Sequence, residues 1–281
     1  MSTSVNIISE HACFGGQVSF HSHHSETCNC EMHFAVYQPP QAKSKPVPVL
    51  YFLSGLTSTE ENFIMKAGAQ RYAAEQGLML VMPDTSPRDT GIQGENDEWD
   101  LGTGAGFYVD ATMAPWASHY QMYSYVVREL PAIIAENFPA IPEKQGIFGH
   151  SMGGHGALVC ALRNPEQYQS LSAFAPIAAP MRSDLGQKVF TNYLGTKQET
   201  WRVYDASELI LTAKYSRPIL IDQGTADEYL PQLLPEVFSE ACQKVGQPLT
   251  LRMQAGYDHG YYFVSTFVAD HIRHHAAVLC E

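Results

Sequence analysis

The pentapeptide Gly149-His150-Ser151-Met152-Gly153 constrains this chain more than any other stretch. It follows the small apolar run Gly146-Ile147-Phe148 and precedes Gly154 to Leu162, whose apolar spacing is that of a buried helix. The pattern predicts a strand, a sharp turn and a helix. In that setting G-x-S-x-G reads as a nucleophile elbow, in which glycines leave room for a strained turn that lifts a serine hydroxyl above the edge of a sheet. A Gly-rich start to a helix is the competing reading, so the flanks and the partners of Ser151 decide between them.

A chain of 281 residues with 45% hydrophobic content has enough apolar material for one α/β domain spanning residues 1–281. Asp and Glu number 29 against 17 Lys and Arg, a formal charge of −12, which opposes binding to nucleic acid or to anionic membranes. The first ten residues carry no basic start and no long apolar stretch, so no secretory leader is expected. Six cysteines (Cys13, Cys28, Cys30, Cys160, Cys242 and Cys280) are too sparse for a disulfide framework, and a cytoplasmic location fits. Homodimer and homotetramer both stay open.

Alternation in Gln17–His21 and Met32–Tyr37, around a polar turn at His24-Ser25-Glu26, predicts an antiparallel hairpin at the sheet edge. His21, His23, His24, Cys28 and Cys30 are of the residue types that hold zinc, but their spacing fits no structural zinc pattern. A solvated turn is the expectation, with no metal and no cofactor. Val49–Leu53 reads as a central parallel strand, and Ser54-Gly55-Leu56-Thr57 follows it. That loop either supplies the Leu56 amide to an oxyanion hole or is a plain strand-to-helix turn. A helix is expected over Thr59 to Gln76, capped by Thr59 and closed by Gly77, and then a strand over Leu78–Met82.

From Pro83 to Ser118 the periodicity dissolves among glycines, with Trp99, Phe107, Tyr108 and Trp116 interspersed. A disordered segment would leave these rings in water, so they are expected to form one wall of a substrate pocket. Helical spacing returns over Tyr120 to Asn137. Beyond the elbow, Ser170–Ala175 and Pro218–Ile221 read as strands, and the mixed stretch between them is too short for a large cap domain.

The second of those strands delivers Asp227, with Asp222 and Glu228 as rival carboxylates, and His259 lies on a glycine-flanked loop before the last helix. The order Ser151, Asp227, His259 is the serine, acid, histidine order of α/β-hydrolases. Serine is a weak nucleophile until an imidazole takes its proton, and the carboxylate orients that imidazole and stabilises its cation. The oxyanion would take the amides of Met152 and Leu56, each such donor contributing about 3 kcal/mol. The expected architecture is an α/β-hydrolase fold: a mostly parallel central sheet with helices on both faces, an N-terminal antiparallel edge hairpin and no large cap.

Longer strings add to this: Leu53–Thr57, Glu61-Asn62-Phe63, Pro83–Arg88, Gly104–Tyr108, Gly149–Gly154, Asp222-Gln223-Gly224 and Gly256–His259. Together, over nearly the whole chain, they resemble the S-formylglutathione hydrolases of the esterase D family. The resemblance implies a serine thioesterase that releases formate and glutathione, a step in formaldehyde detoxification, with side activity on short acyl esters and its triad on Ser151, Asp227 and His259. A short-chain carboxylesterase or an acyltransferase would use the same triad, whereas a binding module gives no reason for one. Glutathione is anionic, so a local cation is implied, with Arg88 and Lys66 the candidates. One departure stands out: Ser58 occupies a position where the family often has cysteine, which puts the family's thiol sensitivity in question for this chain.

Overall fold

The structure, a computed structural model, describes residues 4–281. Nine strands form one sheet: β1 (Asn6–Cys13), β2 (Gly16–Ser25), β3 (Cys30–Gln38), β4 (Val47–Leu53), β5 (Met79–Pro83), β6 (Ala140–His150), β7 (Tyr168–Phe174), β8 (Ile219–Gly224) and β9 (Leu249–Gln254). Their spatial order is β1-β2-β3-β5-β4-β6-β7-β8-β9. The pairs from β1 to β5 in that order are antiparallel, and every pair from β5 onward is parallel. Every residue of β4 and β5 is buried, as their unbroken apolar runs require when helices cover a parallel strand on both sides.

The antiparallel edge reaches one strand further out than the alternation indicated. β1 lies in the stretch read only for a leader, and it is exposed or half-buried throughout. With no buried face it has no alternating pattern, and it is held by backbone pairing with β2. The expected solvated turn is also corrected, because His21 and His23 lie in β2 and are buried, and Cys28 is buried beside them. His21 stacks on Phe34 and bonds Ser19 Oγ, while His23 Nε2 meets Tyr125 Oη at 3.0 Å. Burial pushes both imidazoles below their ordinary pKa. The turn itself is Glu26–Asn29, tied down by Glu129.

The helix expected over 59–76 is two helices, Glu60–Lys66 and Ala69–Gln76, because Gly68 turns left-handed at φ 67° between them. Thr59 caps the first: its Oγ1 accepts from Glu61 N, and Asn62 Oδ1 accepts from Thr59 N. This capping box rigidifies the chain just after the Ser54–Thr57 loop. The helical stretch Met122–Asn137 contains a π-turn over Tyr125–Glu129. Pro131 has no N–H to give, and the carbonyls of Val126 and Val127 accept from Tyr168 Oη and Gln167 Nε2 instead.

Between β7 and β8 the chain forms the helix Asp184–Leu194 and short turns, with no large cap. No helix among the described residues is long and apolar enough to cross a membrane.

Candidate active site

The elbow is built as its residue types require. β6 ends at His150, Ser151 adopts φ 57° and ψ −119°, and the helix Met152–Arg163 starts at once. A positive φ on a serine costs on the order of 1–3 kcal/mol and persists only where the surroundings hold it. Here Ser151 N donates to Phe174 O, and Ser151 O accepts from His155 N and Ile177 N. A Cβ on Gly149 would collide with the carbonyl of Gly153, and one on Gly153 with that of Leu53. The two motif glycines therefore let the turn close against the end of β4.

β8 carries the chain to Asp227, whose carboxylate is buried and accepts from His259 Nδ1 at 2.7 Å, Gln223 Nε2 at 2.9 Å and Tyr229 N at 2.8 Å. Burial alone would raise its pKa, but the bond from His259, reinforced by those from Tyr229 and Gln223, holds it below the usual carboxylate value. With Nδ1 engaged, Nε2 is the imidazole nitrogen left for a reacting group. The rivals part company here. Asp222 bonds Arg252, His271 and Gln254, and Glu228 is exposed. His150 packs its ring 4.6 Å from that of His259, and burial, aided by that neighbour, pushes its pKa well down.

Ser151 and His259 line a cleft of about 300 Å³ together with Leu56, Ser58, Lys66, Trp99, Tyr229 and Tyr261. The amides of Leu56, which lines the cleft, and of Met152, which follows Ser151 in the chain, have no backbone or side-chain acceptor among the described residues. Gly55 lets this wall approach, since a Cβ there would stand 3.1 Å from Ser151 Cβ. No cluster of three or more His, Cys, Asp or Glu suited to a metal occurs among the described residues.

Of the four aromatics expected in the pocket wall, only Trp99 lines the cleft. Phe107, Tyr108 and Trp116 are buried in the core. Tyr108 Oη donates to Ser54 O, Phe107 O bonds His155 Nε2, and Trp116 packs edge-on against Tyr120 and Tyr193. The aromatics did signal an ordered segment, but the order comes from rings filling the interior. Arg88 faces a separate cavity of about 420 Å³ with Cys30, His33 and His119, and its guanidinium is taken by Asp84 and Ser58 O. Tyr229 and Tyr261 went unnoticed in the sequence, although each stands two residues after a triad position and so is carried to the same rim.

Comparison with known proteins agrees with this geometry. The family model described as "Putative esterase" matches residues 25–274. S-formylglutathione hydrolase of Mus musculus is 55% identical over 275 residues, covering 97% of this chain and 98% of that one. The Paracoccus denitrificans enzyme of the same name is 52% identical, with 98% and 99% covered. The solved structure of an S-formylglutathione hydrolase from Agrobacterium tumefaciens superposes with a TM-score of 0.95 at 51% identity, over 98% of this chain and 99% of that one. A nucleophile elbow, a buried carboxylate–imidazole pair at the same cleft and full-length relatedness of this degree lead to one assignment: the chain belongs to the S-formylglutathione hydrolase family of serine esterases.

Proposed function

We propose that this chain hydrolyses S-formylglutathione to glutathione and formate, with Ser151 as nucleophile, His259 as general base and acid, and Asp227 as the carboxylate that orients His259. Ser151 Oγ attacks the thioester carbonyl as its proton passes to His259 Nε2, and the tetrahedral oxyanion takes the Leu56 and Met152 amides. The C–S bond then breaks, the proton goes to the glutathione sulfur, and formyl remains on Ser151. Water attacks that ester with His259 again as base, releasing formate and restoring the serine. The observation that carries this reading is the 2.7 Å Asp227–His259 bond beside a serine held at φ 57°.

Lys66 is the cation we assign to a glutathione carboxylate. Its ammonium lies 5.5 Å from the centre of the Tyr261 ring at the cleft, and no Asp or Glu lines that cleft among the described residues. In a chain of net charge −12 a local positive site is what an anionic leaving group needs. The enzyme works as a single domain without cofactor, in the cytoplasm, in formaldehyde detoxification. Mass spectrometry of the protein quenched during turnover tests the roles directly. A formyl ester on the peptide carrying Ser151, absent from Ser151→Ala, is the expected result; label-free turnover by Ser151→Ala refutes them.

A further inference from the structure

No residue of the string Pro83–Arg88 lines the cleft, yet the string holds the loop that packs against Ser151. Ser58 O, at the far end of that loop, accepts from Thr85 Oγ1 at 2.5 Å and from Arg88 Nη2 at 3.1 Å. The guanidinium is itself held by Asp84, through Nε to Oδ2 at 2.6 Å and Nη2 to Oδ1 at 2.9 Å. Asp84 Oδ1 also accepts from Thr85 N at 2.6 Å, so one carboxylate fixes both donors. At the near end Ser54 O accepts from Tyr108 Oη at 2.9 Å. In the middle Thr57 N donates to Gly104 O, and Gly104 N donates to Ser86 Oγ, tying the loop to the same string a second time.

Thr57 sits at φ 65°, a conformation that a β-branched residue holds only where its surroundings impose it. The loop Ser54–Ser58 is thus clamped at both ends and its centre, in a strained shape, with the unpartnered Leu56 amide between the clamps.

We propose that Arg88, Thr85 and Asp84 are positioning residues that preset the Leu56 amide for the oxyanion, and that Arg88 makes no contact with substrate. A donor preset in this way acts when charge develops on the carbonyl oxygen and contributes little before that. This rests on Leu56 being an oxyanion donor, as in the proposed function, but not on S-formylglutathione being the substrate.

The test uses Thr85→Val, Thr85→Ser and Arg88→Ala in the full chain, with p-nitrophenyl acetate as substrate, a small alkylboronic acid as tetrahedral mimic and glutathione as ground-state ligand. Thr85→Val should lower kcat about tenfold or more and weaken boronic-acid inhibition in parallel, with KM and glutathione affinity changed less than about twofold. Thr85→Ser, which restores the hydroxyl, should recover both, and Arg88→Ala should behave as Thr85→Val or more severely. A raised KM with kcat retained in Arg88→Ala makes Arg88 a substrate contact and overturns the proposal. So does equal loss of glutathione and boronic-acid affinity, or full kcat in Thr85→Val. Should Arg88→Ala fail to fold, the Thr85 pair decides alone. Failure of the wild-type protein on S-formylglutathione would instead overturn the substrate assignment and leave this comparison intact.

Discussion

Asp222 lies within β8 and Asp227 on the loop that follows it, and exchanging each for asparagine separates a structural carboxylate from the one proposed to be catalytic. Asp222 has no exposed side-chain surface and accepts from Arg252 Nε at 2.7 Å, His271 Nε2 at 2.9 Å and Gln254 Nε2 at 2.7 Å. Burial alone would raise its pKa, but the bonds from His271 and Arg252 bring it down to about 2 from 3.8. At 1.36 kcal/mol per pH unit this difference is worth roughly 2.5 kcal/mol of stability at neutral pH. Asp222→Asn also takes one of two carboxylates from Arg252, which is about one-third exposed and keeps Asp270 at 2.8 Å, so the total loss stays near that figure. For a chain of this length that corresponds to a fall in Tm of about 5–10 °C, with kcat per folded molecule changed only a few-fold.

Asp227→Asn should do the reverse, lowering kcat by on the order of 10⁴ by disturbing the His259 tautomer while Tm moves less. The carboxylate's contribution is present above pH 3.8 and is lost as pH falls from there through about 2, so wild type and Asp222→Asn should converge in stability over that window. Thermal unfolding across pH, paired with esterase kinetics at pH 7, reads both quantities. If Asp222→Asn loses kcat by orders of magnitude at unchanged Tm, the assignment of the two carboxylates is reversed.

The buried imidazoles predict a second acid weakness. Burial lowers His150, His275 and His155, the last to about 4, so the unfolded chain binds more protons below about 6.5 and stability should fall from there downward; a flat Tm between pH 7 and 5 would contradict this. Iodoacetamide should leave activity intact, because Cys28, Cys160 and Cys242 are buried and burial raises their thiol pKa values, whereas Ser58→Cys puts a thiol into the cleft and should be inactivated. Strong inactivation of both proteins would point to exposed Cys280 instead. Lys66→Met keeps a stem against Tyr261 and removes an exposed charge worth up to about 1 kcal/mol. It should therefore lower kcat/KM for S-formylglutathione about two- to five-fold at low salt and leave p-nitrophenyl acetate unaffected. An equal fall for the neutral ester would remove Lys66 from the leaving-group site.

What was legible in the sequence follows from which interactions are local. Gly149 announces a close turn because the space it leaves is needed within the motif itself, Asp227 follows a strand that an apolar run marks plainly, and His259 stands on a loop marked by its flanking glycines. Trp99, Phe107, Tyr108 and Trp116 look alike in sequence. Only long-range packing, against Tyr193 and the elbow helix, decides which ring turns inward. Arg88 was read for its charge, but its destination depends on Ser58, thirty positions earlier. β1 carries no apolar alternation because neither of its faces is buried, and His21 and His23 look polar until Phe34 and Tyr125 cover them. The break at Gly68 was visible as a glycine, but a glycine within helical periodicity does not by itself say that the chain stops there.

The central claim is that this cleft accepts a formyl group carried by glutathione, and the ratio of kcat/KM for S-formylglutathione to that for p-nitrophenyl butyrate measures it most directly. An acyl site that tolerates only hydrogen on the carbonyl, and a charged leaving group met by Lys66, would give a ratio far above one and a steep decline through the acetyl and butyryl thioesters of glutathione. A ratio near one would contradict the account and identify the protein as a general short-chain carboxylesterase.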